Sequence, residues 1–282
     1  MKSIRKNPDL ASRHVQSVMN RIKKSYNETA VLAEVQKLGV NSIQEFLLAD
    51  VNTMSSWVMT SPSILQFTVF KEIYSRYFSN GADKYVDGDY NAYSFIENLD
   101  ITVCPYCDDE YIDIFEADNH QKRTSEIDHF YPKSKYPALA MCFYNLIPTG
   151  QVCNGLKKEY SLGANPYDAD IECLTFIYPN LPIGISMEKV DPSECVPKFH
   201  AKDGMTANVD VLSLEQRYER HAPEVHRLLD NLQKLPPEKI DELEKMFPLT
   251  REQIITSFFG PQDPEEKKNA LRQKMLKDLT GY

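Results

Sequence analysis

No run of apolar residues in this chain approaches the ~20 that a membrane-spanning helix needs, so no membrane span is expected. The opening residues, "MKSIRKNPDLASRH", hold no apolar stretch of the kind that marks a secretory signal. No internal repeat or low-complexity tract is evident either. What remains reads as an ordinary globular protein, 42% hydrophobic and 26% charged. Its length, 282 residues, suggests about two domains and a sizeable core. Cysteine is scarce, six residues in all and without an export signal. That argues against a disulfide framework and for a reducing, cytoplasmic setting. There the CxxC of "CPYC" (Cys104 to Cys107) is better read as a metal or redox site.

The net charge of −9 speaks mildly against nucleic acid as a partner, but the charge is unevenly spread. Residues 1–27 carry seven basic side chains against Asp9 alone, a net of +6, and residues 121–160 carry a net of +3. Between them, residues 81–120 hold eleven acids against Lys84. Salt screens charges beyond ~8–10 Å, so a basic face can meet phosphate on a protein that is acidic as a whole.

Apolar spacing divides the chain into three regions, residues 1–100, 101–165 and 166–282. The first reads as helices. "DLASRHVQSVMNRIKKSY" sets Leu10, Val15, Val18, Met19 and Ile22 on one stripe, with Asp9 as the expected N-cap. "ETAVLAEVQKLG" ends on a glycine stop, and "SPSILQFTVFKEIYSRYFSNG" runs from Ser-Pro to Asn-Gly. "NGADKYVDGDYNAY" then reads as a loop or linker. From Thr102 the period changes. "YIDIF" and "TSEIDHF" read as the two strands of a hairpin, with "EADNHQKR" as its polar turn. A loop containing Pro132, Pro137 and Pro148 follows, and then a short helix in "QVCNGLKKEY". Residues 171–212 are strand-like fragments, and the tail returns to four helical segments.

Several residue types suited to phosphodiester hydrolysis gather between Cys107 and Cys153. His129 is of the type that takes a proton from water near neutral pH. Asp128, Asn145 and Asn154 offer hard oxygen donors for Mg²⁺. Asn154, Lys157 and Lys158 stand at i, i+3 and i+4, which places them on one helix face where the lysines can neutralise phosphates. Strand alternation sends Glu126 and Asp128 to one side and His129 to the other.

The run "CPYC … EIDHFYPKSKYP … YNLIPTGQVCNGLKK" resembles the HNH, or ββα-metal, endonucleases. Its wording is similar to bacterial HNH proteins of defence islands, including nuclease subunits that accompany an ATPase in Septu-type and some retron systems. The resemblance covers residues 104–158. It implies an α+β, mainly helical protein with a small ββα-metal core between N- and C-terminal helical regions. It also implies a metal-dependent endonuclease acting on nucleic acid, with DNA favoured over RNA but the choice left open by the sequence, and with an ATPase partner. His129 becomes the general base, Asp128 and Asn154 the ligands of a catalytic Mg²⁺ or Mn²⁺, and Asn145 the brace of the loop. Lys133 and Lys135 join Lys157 and Lys158 as phosphate contacts, by charge and placement. Many such proteins hold a structural zinc with two CxxC pairs, whereas this chain offers Cys104, Cys107 and Cys153, with Gly150 at the fourth place. Two readings stand: zinc completed by Cys142 or His120, or zinc lost and replaced by packing. A rival from another class is a catalytically silent zinc-ribbon-like module that recruits a partner. A CxxC redox protein fits least, because the strand–CxxC–helix context is missing.

Overall fold

Capping side chains set where the N-terminal helices begin. In the structure, a computed structural model that describes residues 1–79 and 90–282, the helix Pro8–Ser25 starts at Asn7, whose side chain accepts the Leu10 N–H. The cap is therefore Asn7 and not Asp9, which sits inside the first turn where the helix dipole favours an anion. Leu10, Val15, Val18, Met19 and Ile22 are all buried, as their spacing requires. Glu28–Gln36 is capped by Asn27, and the chain leaves it through Gly39 at φ +82°. Ser42 and Asp50 cap two further helices, Ile43–Leu47 and Val51–Thr60. The expected loop after Ser79 lies outside the described residues as far as residue 89; the helix Ala92–Leu99 follows, capped by Asn91.

His14 lies at the centre of this helical region, fully buried. Its Nε2 sits 2.8 Å from the Met141 carbonyl, which can only accept, so Nε2 carries the proton. Nδ1 then accepts from the Tyr90 hydroxyl at 2.8 Å. Burial pushes the His14 pKa down to about 4. Between pH ~6.5 and ~4 the unfolded chain takes up a proton that the folded core refuses. Stability should therefore be unaffected by His14 above pH ~6.5 and fall below it, by at most about 1.4 kcal/mol per pH unit. Urea unfolding at several pH values should give a steeper acid slope for the wild type than for His14→Phe; equal slopes would refute the assignment.

The fold is α+β and mainly helical, with three separate two-stranded antiparallel sheets among the described residues. The strands are β1 (Ile114–Ala117), β2 (His120–Arg123), β3 (Ser125–His129), β4 (Leu146–Gly150), β5 (Leu174–Ile177) and β6 (Lys198–Ala201). Here the sequence reading needs correction. The polar stretch expected as a turn is itself a hairpin: β1 folds back on β2 through Asp118 and Asn119, both at positive φ (55° and 60°). The segment carrying Asp128 and His129 does not pair with residues 111–115 but with β4, in the register Asp128↔Ile147 and His129↔Leu146. Pro148 made this second strand look like a loop. In a two-stranded sheet each strand is an edge, where the missing N–H of a proline costs nothing. The short helix expected in "QVCNGLKKEY" is present as Gln151–Lys157, directly after β4.

One apolar cluster runs from Met1 through the motif to Leu214, across the expected boundary at residue 100, and a second gathers residues 176–279. The last helical segment, expected as one piece, is broken into Pro264–Lys268 and Gln273–Thr280. Arg272 adopts φ +54° at the break because the turn after CPYC grips it. Its N–H donates to the Asp108 carbonyl (2.6 Å), its guanidinium to Asp109 (2.9 Å), and the Lys274 N–H to the Asp108 carboxylate (3.1 Å). Arg220 and His221 also bind Asp109. From the other end of the chain Lys2 reaches Asp108 at 3.4 Å and donates to the carbonyls of Lys267, Lys268 and Ala270. Among the described residues no helix is long and apolar enough to cross a membrane.

Candidate active site and thiol cluster

β3 ends at His129, and the chain makes a long excursion before β4. Asn145 holds that excursion in place. Its Oδ1 accepts the Tyr131 N–H at 2.7 Å, and its Nδ2 donates to the carbonyls of Tyr131 (3.2 Å) and Leu139 (2.9 Å). The excursion returns the short turn Pro137–Met141 over β3 and brings the Ala140 carbonyl to 3.1 Å from His129 Nε2. A carbonyl only accepts, so Nε2 bears the proton and the Nδ1 lone pair is left free. Among the described residues Nδ1 has no hydrogen-bond partner, yet it is not one of the unpartnered polar atoms sealed from solvent. Tyr74 meets the ring edge-on at 4.4 Å, and Lys133 lies 4.8 Å from the centre of the Tyr74 ring. Burial, with Lys133 adding to it, moves the His129 pKa well below its ordinary value, so the imidazole is neutral at pH 7.

Alternation along β3 works as expected, with Glu126 and Asp128 both facing the Gln151–Lys157 helix and His129 the other way. The partners differ from the expected ones. Asp128, 4% exposed, accepts from Lys157 Nζ at 3.0 Å and from the Tyr106 hydroxyl at 2.7 Å. Lys157 is wholly buried and also donates to the His129 carbonyl at 2.7 Å. Burial raises the Asp128 pKa, against the pull of Lys157 and Tyr106. Lys157 is therefore not a surface phosphate contact: its ammonium occupies the space beside Asp128 where an ion was expected. Asn154 does not meet Asp128. Its amide bonds to Glu126, which is only partly buried. Of the pair proposed for a divalent ion, Asp128 is already neutralised, and the carboxylate that stands beside Asn154 is that of Glu126, which accepts its amide N–H. Lys158 lies beyond the helix end at φ +46° and is exposed, so it does not share a face with Asn154 and Lys157. Lys135 is exposed and donates to the Glu159 carbonyl (2.9 Å), while Lys133 is half-buried.

The cysteines do converge. Cys104, Cys107 and Cys153 are buried, with their sulfurs all within 4.8 Å of one another, and the cluster could hold a metal ion such as zinc. The Asp108 N–H donates to the Cys104 carbonyl (2.9 Å), curling the CPYC loop around the site. Hydrogen bonds from Cys104 and Cys153 hold the Cys107 thiol far below its usual range, whereas burial pushes the Cys104 thiol up, so negative charge gathers on the Cys107 sulfur. Arg217 answers that charge, with Nη1 3.2 Å from Cys153 Sγ. Neither candidate for a fourth ligand is present: Cys142 donates to the Phe46 carbonyl (3.4 Å), and His120 begins β2 on the exposed hairpin. Tyr74, Tyr106 and Arg217 were not reached from sequence, because their roles depend on contacts that no spacing marks. Comparison with family models, with curated proteins and with solved structures finds no match for this chain.

Proposed function

We propose that this protein is a metal-dependent endonuclease of the HNH type, hydrolysing phosphodiester bonds in DNA. The observation that carries the reading is His129, a neutral imidazole tied through Nε2–H to the Ala140 carbonyl with its Nδ1 lone pair uncommitted. That is the arrangement a general base needs to take a proton from water. The order strand, braced excursion, strand, helix around it supports the same reading. Asn145 fixes the excursion, and Tyr74 limits the swing of the imidazole. Glu126 and Asn154 are the residues that would hold Mg²⁺ or Mn²⁺, which would supply Lewis-acid stabilisation of charge on the phosphate. Lys133 brings positive charge beside Tyr74 and His129, and Lys135 is exposed two residues further on. The likeness of the motif to defence-island nucleases extends the proposal to an effector that works with an ATPase partner. The rival, a silent zinc-ribbon-like binding module, draws support from the closed Asp128–Lys157 pair.

Incubation with plasmid, linear DNA and total RNA, each with Mg²⁺, Mn²⁺ or EDTA, separates the two. The nuclease reading expects metal-dependent cleavage of DNA that EDTA stops. Protein that stays inert with every substrate and metal, and also with a candidate ATPase partner added, would establish the binding module instead. Lys133→Ala and Lys135→Ala should weaken DNA binding equally across sequences. Each should reduce the slope of log K against log salt by about one, as expected for one lost phosphate contact. Unchanged slopes would remove both lysines from the interface.

A further inference from the structure

We propose that Glu110 is the fourth ligand of a zinc ion at Cys104, Cys107 and Cys153, taking the corner that Gly150 leaves without a side chain. Three thiolates leave one position of a tetrahedral site open. Gly150 stands where a fourth cysteine would be, immediately before the helix that carries Cys153. Its backbone, φ −70° and ψ 155°, is one that any residue adopts, so conformation does not explain the glycine. Space does: a Cβ at Gly150 would overlap the Glu110 carboxylate. The volume of the absent side chain is filled by a different ligand type, delivered from the CPYC loop rather than from β4.

Two further features point the same way. Glu110 Oε2 is sealed from solvent and has no hydrogen-bond partner of its own among the described residues, although the Gln151 and Val152 N–H groups face the carboxylate as a whole. The main chain of Glu110 is already tied to the cluster, its carbonyl accepting the Cys104 N–H at 2.9 Å. As it stands the carboxylate lies outside the circle drawn by the three sulfurs, so ligation requires the Glu110 side chain to turn toward them. Three thiolates and a carboxylate around Zn²⁺ carry a net charge of about −2. Arg217, with Nη1 beside Cys153 Sγ, stands ready to offset part of it. A guanidinium cannot ligate, so Arg217 does not compete for the corner.

The test uses the full chain, purified with its thiols reduced, and reads zinc rather than cleavage, so its result does not depend on nuclease activity. The wild type should hold one equivalent of zinc, with X-ray absorption showing three sulfurs and one oxygen. Competition against a chromophoric chelator should show Glu110→Ala weakened about 10–100-fold. Glu110→Gln keeps the volume should the alanine variant not fold, and it should also bind more weakly than wild type. In the Glu110→Ala/Gly150→Cys double variant, affinity should return. With Co²⁺ in place of zinc, its thiolate charge-transfer band should rise by about a third, as expected for four thiolates instead of three. The proposal is overturned if the reduced wild type binds no zinc. It is equally overturned if Glu110→Ala and Glu110→Gln match wild type in chelator competition and in the Co²⁺ spectrum.

Discussion

Replacing His129 by alanine should lower the rate of DNA cleavage by about 10²–10⁴-fold, the usual contribution of a general base. The loss should be one of chemistry rather than of binding. His129 touches the protein through Ala140 and Tyr74 and contributes no charge at pH 7, so DNA affinity should stay near that of wild type. Some stability will go as well, about 1–3 kcal/mol, because a buried ring is removed and the Ala140 carbonyl is left without its donor. For that reason rates should be compared at a temperature where unfolding curves show both proteins folded. Extra Mn²⁺ should not restore the variant, since the missing group is a proton acceptor rather than an ion ligand. Added imidazole, small enough to enter the vacated space, should restore part of the rate. A His129→Ala protein that cuts as fast as wild type would end the mechanism.

The second large effect belongs to Lys157, and it is one of stability. Truncation to alanine leaves the Asp128 carboxylate buried with only the Tyr106 hydroxyl for company. Removing one partner of a buried ion pair costs about 3–5 kcal/mol, because the other charge remains desolvated and unpaired. Chemical denaturation should show that loss as a lower midpoint with an unchanged slope. Lys157→Met with Asp128→Leu, which removes both charges and keeps the volume filled, should recover most of it. A surface lysine that only touched phosphate would behave oppositely, altering the salt dependence of binding with little change in stability. A fully stable Lys157→Ala protein would place that side chain back among the phosphate contacts.

The contrast between His129 and Lys157 marks what could be read from sequence. Asp128, His129, Asn145 and the cysteines belong to a pattern of linked spacings, and the convergence of the three thiols followed from it. The helical stripes of the N-terminal region were equally plain, since a 3.6-residue period survives any tertiary arrangement. Strand partners were not legible. "TSEIDHF" has the same alternation whichever strand it pairs with, and Pro148 hid the true partner by appearing to forbid a strand. Lys157 was misread for a related reason. Helix spacing groups it with Asn154, but only the packing of that helix on β3 decides which side of it faces solvent, and it turns Lys157 inward. Glu110 looked like one acid among many in an acidic stretch until the space over Gly150 gave it a place.

The grip of Asp108 and Asp109 on residues near 272 bears on how the protein comes into being. Cys107 lies immediately before these aspartates, and their partners Arg272 and Lys274 are more than 160 residues downstream. A ribosome adding ~5–20 residues per second needs many seconds to cover that distance, and several more residues must clear the exit tunnel. Until then the Asp108 and Asp109 carboxylates have only part of their partners, Lys2 for the first and Arg220 and His221 for the second, and the loop that carries Cys104 and Cys107 is only partly seated. Lys2, among the first residues made, waits longer still for the carbonyls of Lys267, Lys268 and Ala270. A nascent chain is thus held short of a finished thiol cluster throughout most of its synthesis. Under the proposed nuclease reading, such a delay keeps an incomplete polypeptide from becoming a competent one while it is still being made.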